Sequence, residues 1–321
     1  MKFSISAAAL CLSFAAGPAH AQAPAFPSKP VTIVVPYSPG GGSDNASRAF
    51  AKHLSEQWHQ PVIVENLAGA DGLIGTRRVI KSAPDGYTLL VSIPAIAIMK
   101  YTNNTVHGDL VDEVDPIATM ASGPTAMVVK GNTEIKTMAD LKRVCGKPSA
   151  NCSWASGEPF TLLAGSGLIS GLGLFDSMTN VRYNGTSAAV NDIIGGHVTL
   201  LVTGISSVIQ HHKTGSLRIL GVSTAQRIPD IPDVPTYAEA GLGDVEFTNN
   251  WYGLFAPRGT PEAVKKTIND AVRAAARDPA VAKILAPLLI TPVGDTTAEF
   301  TASLKRDQAT VAKLAAKLPP Q

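Results

Sequence analysis

The chain predicts an α/β fold built on a mostly parallel sheet. Three observations carry that expectation. Short β-branched runs alternate with helix-like segments along most of the length. Turns rich in Gly, Ser and Thr follow the strands, where open α/β sheets place their ligands. Hydrophobic residues make up 45% of the chain and charged residues 16%, so two domains of ordinary size can bury a core.

The elements begin after a leader. Met1-Lys2 is a short basic start, Ala7 to Ala16 is mostly apolar, and Ala19-His20-Ala21 is a small-x-small cleavage site. Residues 1–21 read as a secretory signal peptide, so the mature chain is expected to be exported and soluble. The apolar run falls far short of the ~20 residues that span a bilayer. Cys11 does not fit a lipoprotein site, because Leu10 before it is not small.

Val31-Thr-Ile-Val-Val35 is a buried strand by its β-branching. Pro36-Tyr-Ser-Pro-Gly-Gly-Gly-Ser-Asp44 is a glycine-rich turn, and a helix starts at Asn45. Ser43, Asp44 or Asn45 can cap that helix. Its unpaired backbone N–H groups favour an anion, because each needs an acceptor and the dipole is positive there. A purely structural turn, with Asp44 as a simple cap, is the alternative. No Gly-Lys-Ser/Thr or Gly-x-Gly-x-x-Gly is present here, so no nucleotide cofactor is expected.

Val62-Ile-Val-Glu65 is a second strand, with a helix from Ile74 onward. Tyr87-Thr-Leu-Leu-Val91 is a third, entered through the turn Pro84-Asp85-Gly86. Thr125–Val129 is a fourth. Lys136–Leu141 reads as a capped short helix. Asn180–Tyr183 is a strand that leads through Asn184-Gly185 into a helix ending at Gly195-Gly196. Val198–Val202 and Leu217–Ser223 are strands. Pro261–Leu285 reads as one helix with Thr260 as its cap, and Ala298–Leu318 as another.

The formal charge of +2, with no basic run interleaved with aromatics, argues against nucleic acid as a partner. After leader cleavage Cys145 and Cys152 remain. In an oxidising compartment they point to one disulfide, with two free thiols as the alternative. No His or second Cys pair stands at metal-ligand spacing, so no metal is expected.

Five blocks bring a resemblance into view. They are Val35–Asp44, Glu65-Asn-Leu-Ala-Gly-Ala-Asp-Gly-Leu-Ile-Gly75, Pro84–Leu89, Arg227-Ile-Pro-Asp-Ile-Pro-Asp-Val-Pro-Thr-Tyr-Ala-Glu-Ala-Gly-Leu242 and Trp251–Pro261. In this order the chain resembles the solute-binding receptors of the tripartite tricarboxylate transporter family, also called Bug receptors. The resemblance implies a two-lobed, type II Venus-flytrap periplasmic binding protein with a mostly parallel sheet in each lobe. It implies a monomeric receptor that closes on a small organic carboxylate and delivers it to a membrane permease. Residues 22–122 and 226–321 would form the first lobe, and 123–225 the second. The hinge would lie near Met120 and Ser223, where a few residues absorb the backbone change.

The resemblance places ligand contacts at Tyr37, Ser38, Pro39, Gly40, Gly41, Gly42, Ser43 and Asp44, with Ser92 beside them. The backbone N–H groups of Gly40 to Gly42, with Ser38 and Ser43, would hold one carboxylate. In the second lobe the expected contacts are Ser156, Gly157 and Phe160, then Tyr183, Asn184, Thr186 and Ser187, and Thr203. Here the chain departs from the family. Ser156-Gly-Glu-Pro-Phe-Thr161 stands where the family often has Gly-Ser followed closely by His. Tyr183-Asn-Gly-Thr-Ser-Ala188 replaces Tyr-Lys-Gly followed by Pro. The solute's far end is therefore expected to differ, with dicarboxylates and aromatic carboxylates as the leading classes. Phe160 is read either as a ring at the pocket rim or as a core residue. Glu158 is expected to face solvent, because inside it would repel an anion. Trp251 and Tyr252 are expected to pack.

Two other readings share these residues. A sensory module for a signalling partner would use the same pocket. A serine hydrolase would use Ser187 in Gly185-Thr-Ser-Ala-Ala189, with His197, His211 or His212 as base. That motif lacks its last glycine and an evident acid.

Overall fold

The computed structural model describes residues 26–147, 149–183, 185–243 and 249–315. The segment 1–21, read above as a signal peptide, and the expected contact Asn184 lie outside the described residues.

The chain opens with β1 (Val31–Val35), α1 (Gly42–Trp58), β2 (Val62–Asn66), α2 (Leu73–Ile80), β3 (Thr88–Ser92) and α3 (Ala95–Thr102). β1 lies between β2 and β3 and is parallel to both, with crossover helices between them. This is the parallel core that the strand-helix alternation predicts.

β4 (Val114–Lys130) is 17 residues long and serves two sheets. Its first part pairs antiparallel with β9 (Asn249–Pro257), from Val114 opposite Pro257 to Pro124 opposite Asn249. From Thr125 onward it pairs antiparallel with β7 (Leu200–Gly204) and β8 (Leu217–Val222). The strand changes sheets at Gly123-Pro124, which makes this point one crossing between lobes. Only Thr125–Val129 reads as a strand from sequence. Pro116 and Pro124 lack the N–H of a ladder residue, and the register shifts twice between Pro116 and Ala121.

The second lobe runs through α4 (Met138–Cys145), β5 (Cys152–Ser156), α5 (Pro159–Gly171), β6 (Met178–Arg182), α6 (Thr186–Gly195), β7, α7 (Ile209–Lys213) and β8. β5 is parallel to β6 and to β7. Cys145 is disulfide-bonded to Cys152 with Cα atoms 5.6 Å apart, tying the end of α4 to the start of β5. After β9 come α8 (Glu262–Ala276), α9 (Pro279–Leu285), β10 (Thr291–Pro292) and α10 (Thr297–Ala315).

Three details refine the sequence reading. Each lobe contains the expected parallel strands, but β4, β8, β9 and β10 add antiparallel pairs, so both sheets are mixed. Residues 228–242 pack against β8, α4 and α5. Ile231 and Val234 join the cluster around β8, while Tyr237 and Leu242 join the one around α4 and α5. Tyr237 N–H donates to Val222 O, which draws this segment along β8. The single helix read at 261–285 is two, because the Asp278 side chain caps α9 through Ala280 N–H and Pro279 starts it. Thr260 does not cap α8; its hydroxyl donates to Pro257 O.

α5 escapes a sequence reading because its exposed face is only Gly167, Ser170 and Gly171, small residues that leave no polar stripe opposite the buried Phe160, Leu163 and Leu168. Its Phe160 and Leu163 join the core of the first lobe, beside Ile93, Ala95 and Ile98.

Candidate ligand-binding cleft

The carboxyl ends of β1, β5 and β7 face one cavity of about 290 Å³. The first lobe supplies Tyr37 to Ser43, Ile93, Asn250 and Tyr252. The second supplies Gly157, Glu158, Gly185 to Ser187, Val190, Asn191, Thr203, Gly204, Ser206, Ser207 and His211. The cavity thus lies between the two sheets, with walls from both.

The turn after β1 is shaped by its own acid. Asp44 accepts from Gly40 N–H at 2.9 Å, from Asn66 Nδ2 at 3.0 Å and from Arg48 Nε at 3.1 Å. Burial pushes its carboxyl up, but the bonds from Arg48, Gly40 and Asn66 outweigh this and hold it below its ordinary value. Asp44 therefore faces away from the cavity and fixes the loop. It also occupies the Gly40 N–H, which the sequence assigns to a ligand. Gly40 has φ +82°, a left-handed conformation that costs glycine little. Gly42 is required for a different reason. A Cβ there would overlap Tyr252 Oη and come within 2.8 Å of Ser206 Oγ.

α1 begins at Gly42 with no side-chain cap, and its first helical bond is Asn45 N–H to Gly41 O. The N–H groups of Gly42, Ser43 and Asp44 precede that bond and have no helical acceptor. α6 begins at Thr186, also without a side-chain cap, behind Gly185. Two helix N-termini from opposite lobes therefore end at one cavity, and each favours negative charge.

Polar atoms without partners line the same space. Thr203 Oγ1 and Asn250 Oδ1 are buried with no hydrogen-bond partner. Tyr37 Oη and Ser206 Oγ fall short of hydrogen-bond geometry with their neighbours Ser92 and Tyr252. Burial raises the Tyr252 hydroxyl to about 12 and Tyr37 well above its ordinary value, with Glu158 adding to both, so both phenols stay neutral. Buried polar groups are normally satisfied, so this cluster is poised for a ligand or water.

Of the expected contacts, Tyr37 to Ser43, Gly157, Thr186, Ser187 and Thr203 line the cavity. Five do not. Asp44 is turned into its own network. Ser92 is fully buried behind Tyr37. Ser156 Oγ accepts from Asn180 Nδ2 at 3.2 Å. Tyr183 donates to Asp192 on α6 at 2.6 Å, and burial with that bond raises it to about 12. Phe160 is fully buried in the core, which leaves its ring no route to a solute.

Glu158 overturns its expectation: it lines the cavity instead of facing bulk solvent. It sits at the carboxyl end of β5, and Pro159 starts α5 immediately after it. Tyr252 both packs and reaches the cavity, whereas Trp251 only packs, with its Nε1 donating to Asp307 at 2.7 Å. Asn250, Tyr252 and Ser206 are missed as cavity residues, although Tyr252 lies in the Trp251–Pro261 block. Alternation along β9 is the signal that could have found the first two. Arg182 of β6 reaches across to Asp71, before α2, at 3.0 Å, a direct ionic contact between lobes. Among the described residues no hydrogen bond joins Ser187 to His211; His211 Nδ1 instead faces Ser216 Oγ at 3.4 Å.

Residues 46–315 match the family described as the tripartite tricarboxylate transporter family receptor. Protein BugT of Bordetella pertussis is 31% identical over 285 residues, which span 86% of this chain and 85% of that protein. MatC from Rhodopseudomonas palustris, solved with bound malate, matches with a TM-score of 0.83 at 25% identity, covering 90% of this chain and 100% of that one. Rpa4515 of R. palustris, solved with adipate, matches with a TM-score of 0.84 at 27% identity, covering 91% and 98%. With the family matched over most of its length and the same two-lobed fold in its neighbours, the chain belongs to the tripartite tricarboxylate transporter receptor family of periplasmic solute-binding proteins.

Proposed function

We propose that this protein is an exported periplasmic receptor that closes on a small dicarboxylate and passes it to a membrane permease. The observation that carries the ligand class is the pair of uncapped helix starts, Gly42–Asp44 and Thr186–Ala188, at one cavity between the lobes. Each end of a dicarboxylate finds backbone N–H donors, and the partnerless Thr203, Asn250 and Ser206 groups lie along the same walls. A cavity of about 290 Å³ stands at the small end of ligand sites, typically ~300–1,000 Å³. The neighbours solved with malate and adipate point the same way.

The first lobe in this reading is the sheet of β1–β3, β9, β10 and the first half of β4. The second is the remainder of β4 with β5–β8 and the segment to Leu242. Closure draws both helix starts onto one solute. With Phe160 in the core, an aromatic ligand gains nothing from that ring. No described helix is long and apolar enough to cross a membrane.

A thermal-shift series of C4 to C7 dicarboxylates against the folded protein tests the reading. A ligand of the native state must raise the apparent stability, by about 2.7 kcal/mol at a hundredfold excess over Kd. No shift with any member of the series would overturn the dicarboxylate assignment.

A further inference from the structure

The cavity carries an unexpected charge pattern. Among the described residues neither Lys nor Arg lines it, and besides two tyrosines the titratable groups in its lining are Glu158 and His211. The Glu158 side-chain carboxyl has no hydrogen-bond or ion-pair partner among the described residues, whereas its backbone carbonyl accepts from Thr161 Oγ1 and Leu162 N–H. A site built from helix N-termini for an anion thus holds a carboxyl group with nothing to neutralise it.

We propose that Glu158 acts in binding as a neutral carboxylic acid that shares its proton with one carboxylate of the bound dicarboxylate. This rests on the dicarboxylate reading and deepens it. Two carboxyl groups brought together in one site cannot both stay ionised at low cost, so one proton is held between them. The surroundings already favour the neutral form. Burial, then the nearby Asp71 carboxylate, raise Glu158 to about 8 before any ligand arrives. Arg182 on β6 is paired with Asp71. Tyr37 and Tyr252 face Glu158 from the first lobe and remain neutral well above that range, and His211 lines the cavity from α7.

The consequence has a definite sign. Below about pH 8 Glu158 already holds its proton and capture of the dianion takes up none. Above it the proton must come from solvent, so affinity falls as pH rises, approaching about tenfold per pH unit.

Calorimetry with adipate and with malate, in phosphate and in Tris between about pH 6 and pH 9.5, counts the protons. The expected result is no uptake near pH 6 and close to one proton per ligand near pH 9. Glu158→Gln keeps a hydrogen-bond donor but cannot titrate, so its affinity should be flat over this range. His211→Asn should keep the wild-type slope. Binding that is independent of pH with no proton uptake overturns the role of Glu158 and leaves the dicarboxylate reading standing. So does a slope that persists in Glu158→Gln. Absence of binding by both diacids at every pH overturns the two together.

Discussion

Asp44 is the keystone of the first ligand loop, and removing it should cost both stability and binding. Its side chain is only 4% exposed and accepts from Gly40 N–H, Asn66 Nδ2 and Arg48. Hydrogen bonds to a charged acceptor contribute roughly 1.5–3 kcal/mol each. Arg48 is half exposed at 51%, so its share is screened and water can replace it. The bonds from Gly40 and Asn66 are part-buried, and Asp44→Ala leaves both donors unpaired. A loss of about 2–4 kcal/mol follows, measured by urea unfolding at neutral pH. Asp44 is held below its ordinary value in the folded state, so its contribution is complete above the unfolded carboxylate range. It disappears as pH falls through the folded value. The gap between wild type and Asp44→Ala should therefore close in acid. A variant within about 0.5 kcal/mol of wild type at neutral pH, or a gap that persists in strong acid, would refute the argument.

Phe160→Ala should destabilise by about 3–5 kcal/mol, because a fully buried ring is lost, while preferences between aromatic and aliphatic diacids stay unchanged; a changed preference would put the ring in the pocket. Gly42→Ala should cost about 1–3 kcal/mol and weaken dicarboxylate binding by displacing Tyr252, with calorimetry and thermal melts as the readouts. An unshifted melt would show that the turn can yield. Glu158→Gln should stabilise the unliganded protein. The folded state retains a proton that the unfolded chain gives up, so wild-type stability falls as pH rises from the ordinary carboxylate range to about 8. The variant lacks that loss, and its advantage should reach a few kcal/mol near pH 9 and shrink near pH 4. An equal difference at both would be inconsistent with the buried acid.

How much of this was legible in the sequence depends on the kind of signal. β1, β2 and β3 announce themselves by β-branching between turn residues, and α4 by the Thr137–Asp140 capping box. β4 does not, because Pro116, Gly123 and Pro124 interrupt its pattern where the strand bends between lobes. α5 shows no clear periodicity because its one exposed face is made of small residues, Gly167, Ser170 and Gly171, and not of charged ones. The packing of Ile231 and Tyr237 against the clusters around β8, α4 and α5 is a long-range contact, which no local pattern encodes. In the cleft, the glycine turn was readable from its residue types. Which of its groups faces the cavity was not. Asp44 and Tyr183 look like ligands in sequence, but Asp44 accepts from Gly40 N–H and Tyr183 donates to Asp192. Glu158 looks unsuited to an anion site until its position in the cavity is seen.

The central claim is that one solute is held at both ends by helix starts from opposite lobes. Calorimetry of adipate against hexanoate tests it most directly, because the two share a six-carbon chain and differ by one carboxylate. Losing one charged set of hydrogen bonds, roughly 1.5–3 kcal/mol per bond, should weaken hexanoate by at least about tenfold. Small-angle scattering on the same samples should show contraction with adipate and less with hexanoate. Equal affinity and equal contraction for the two acids would contradict the two-ended clamp.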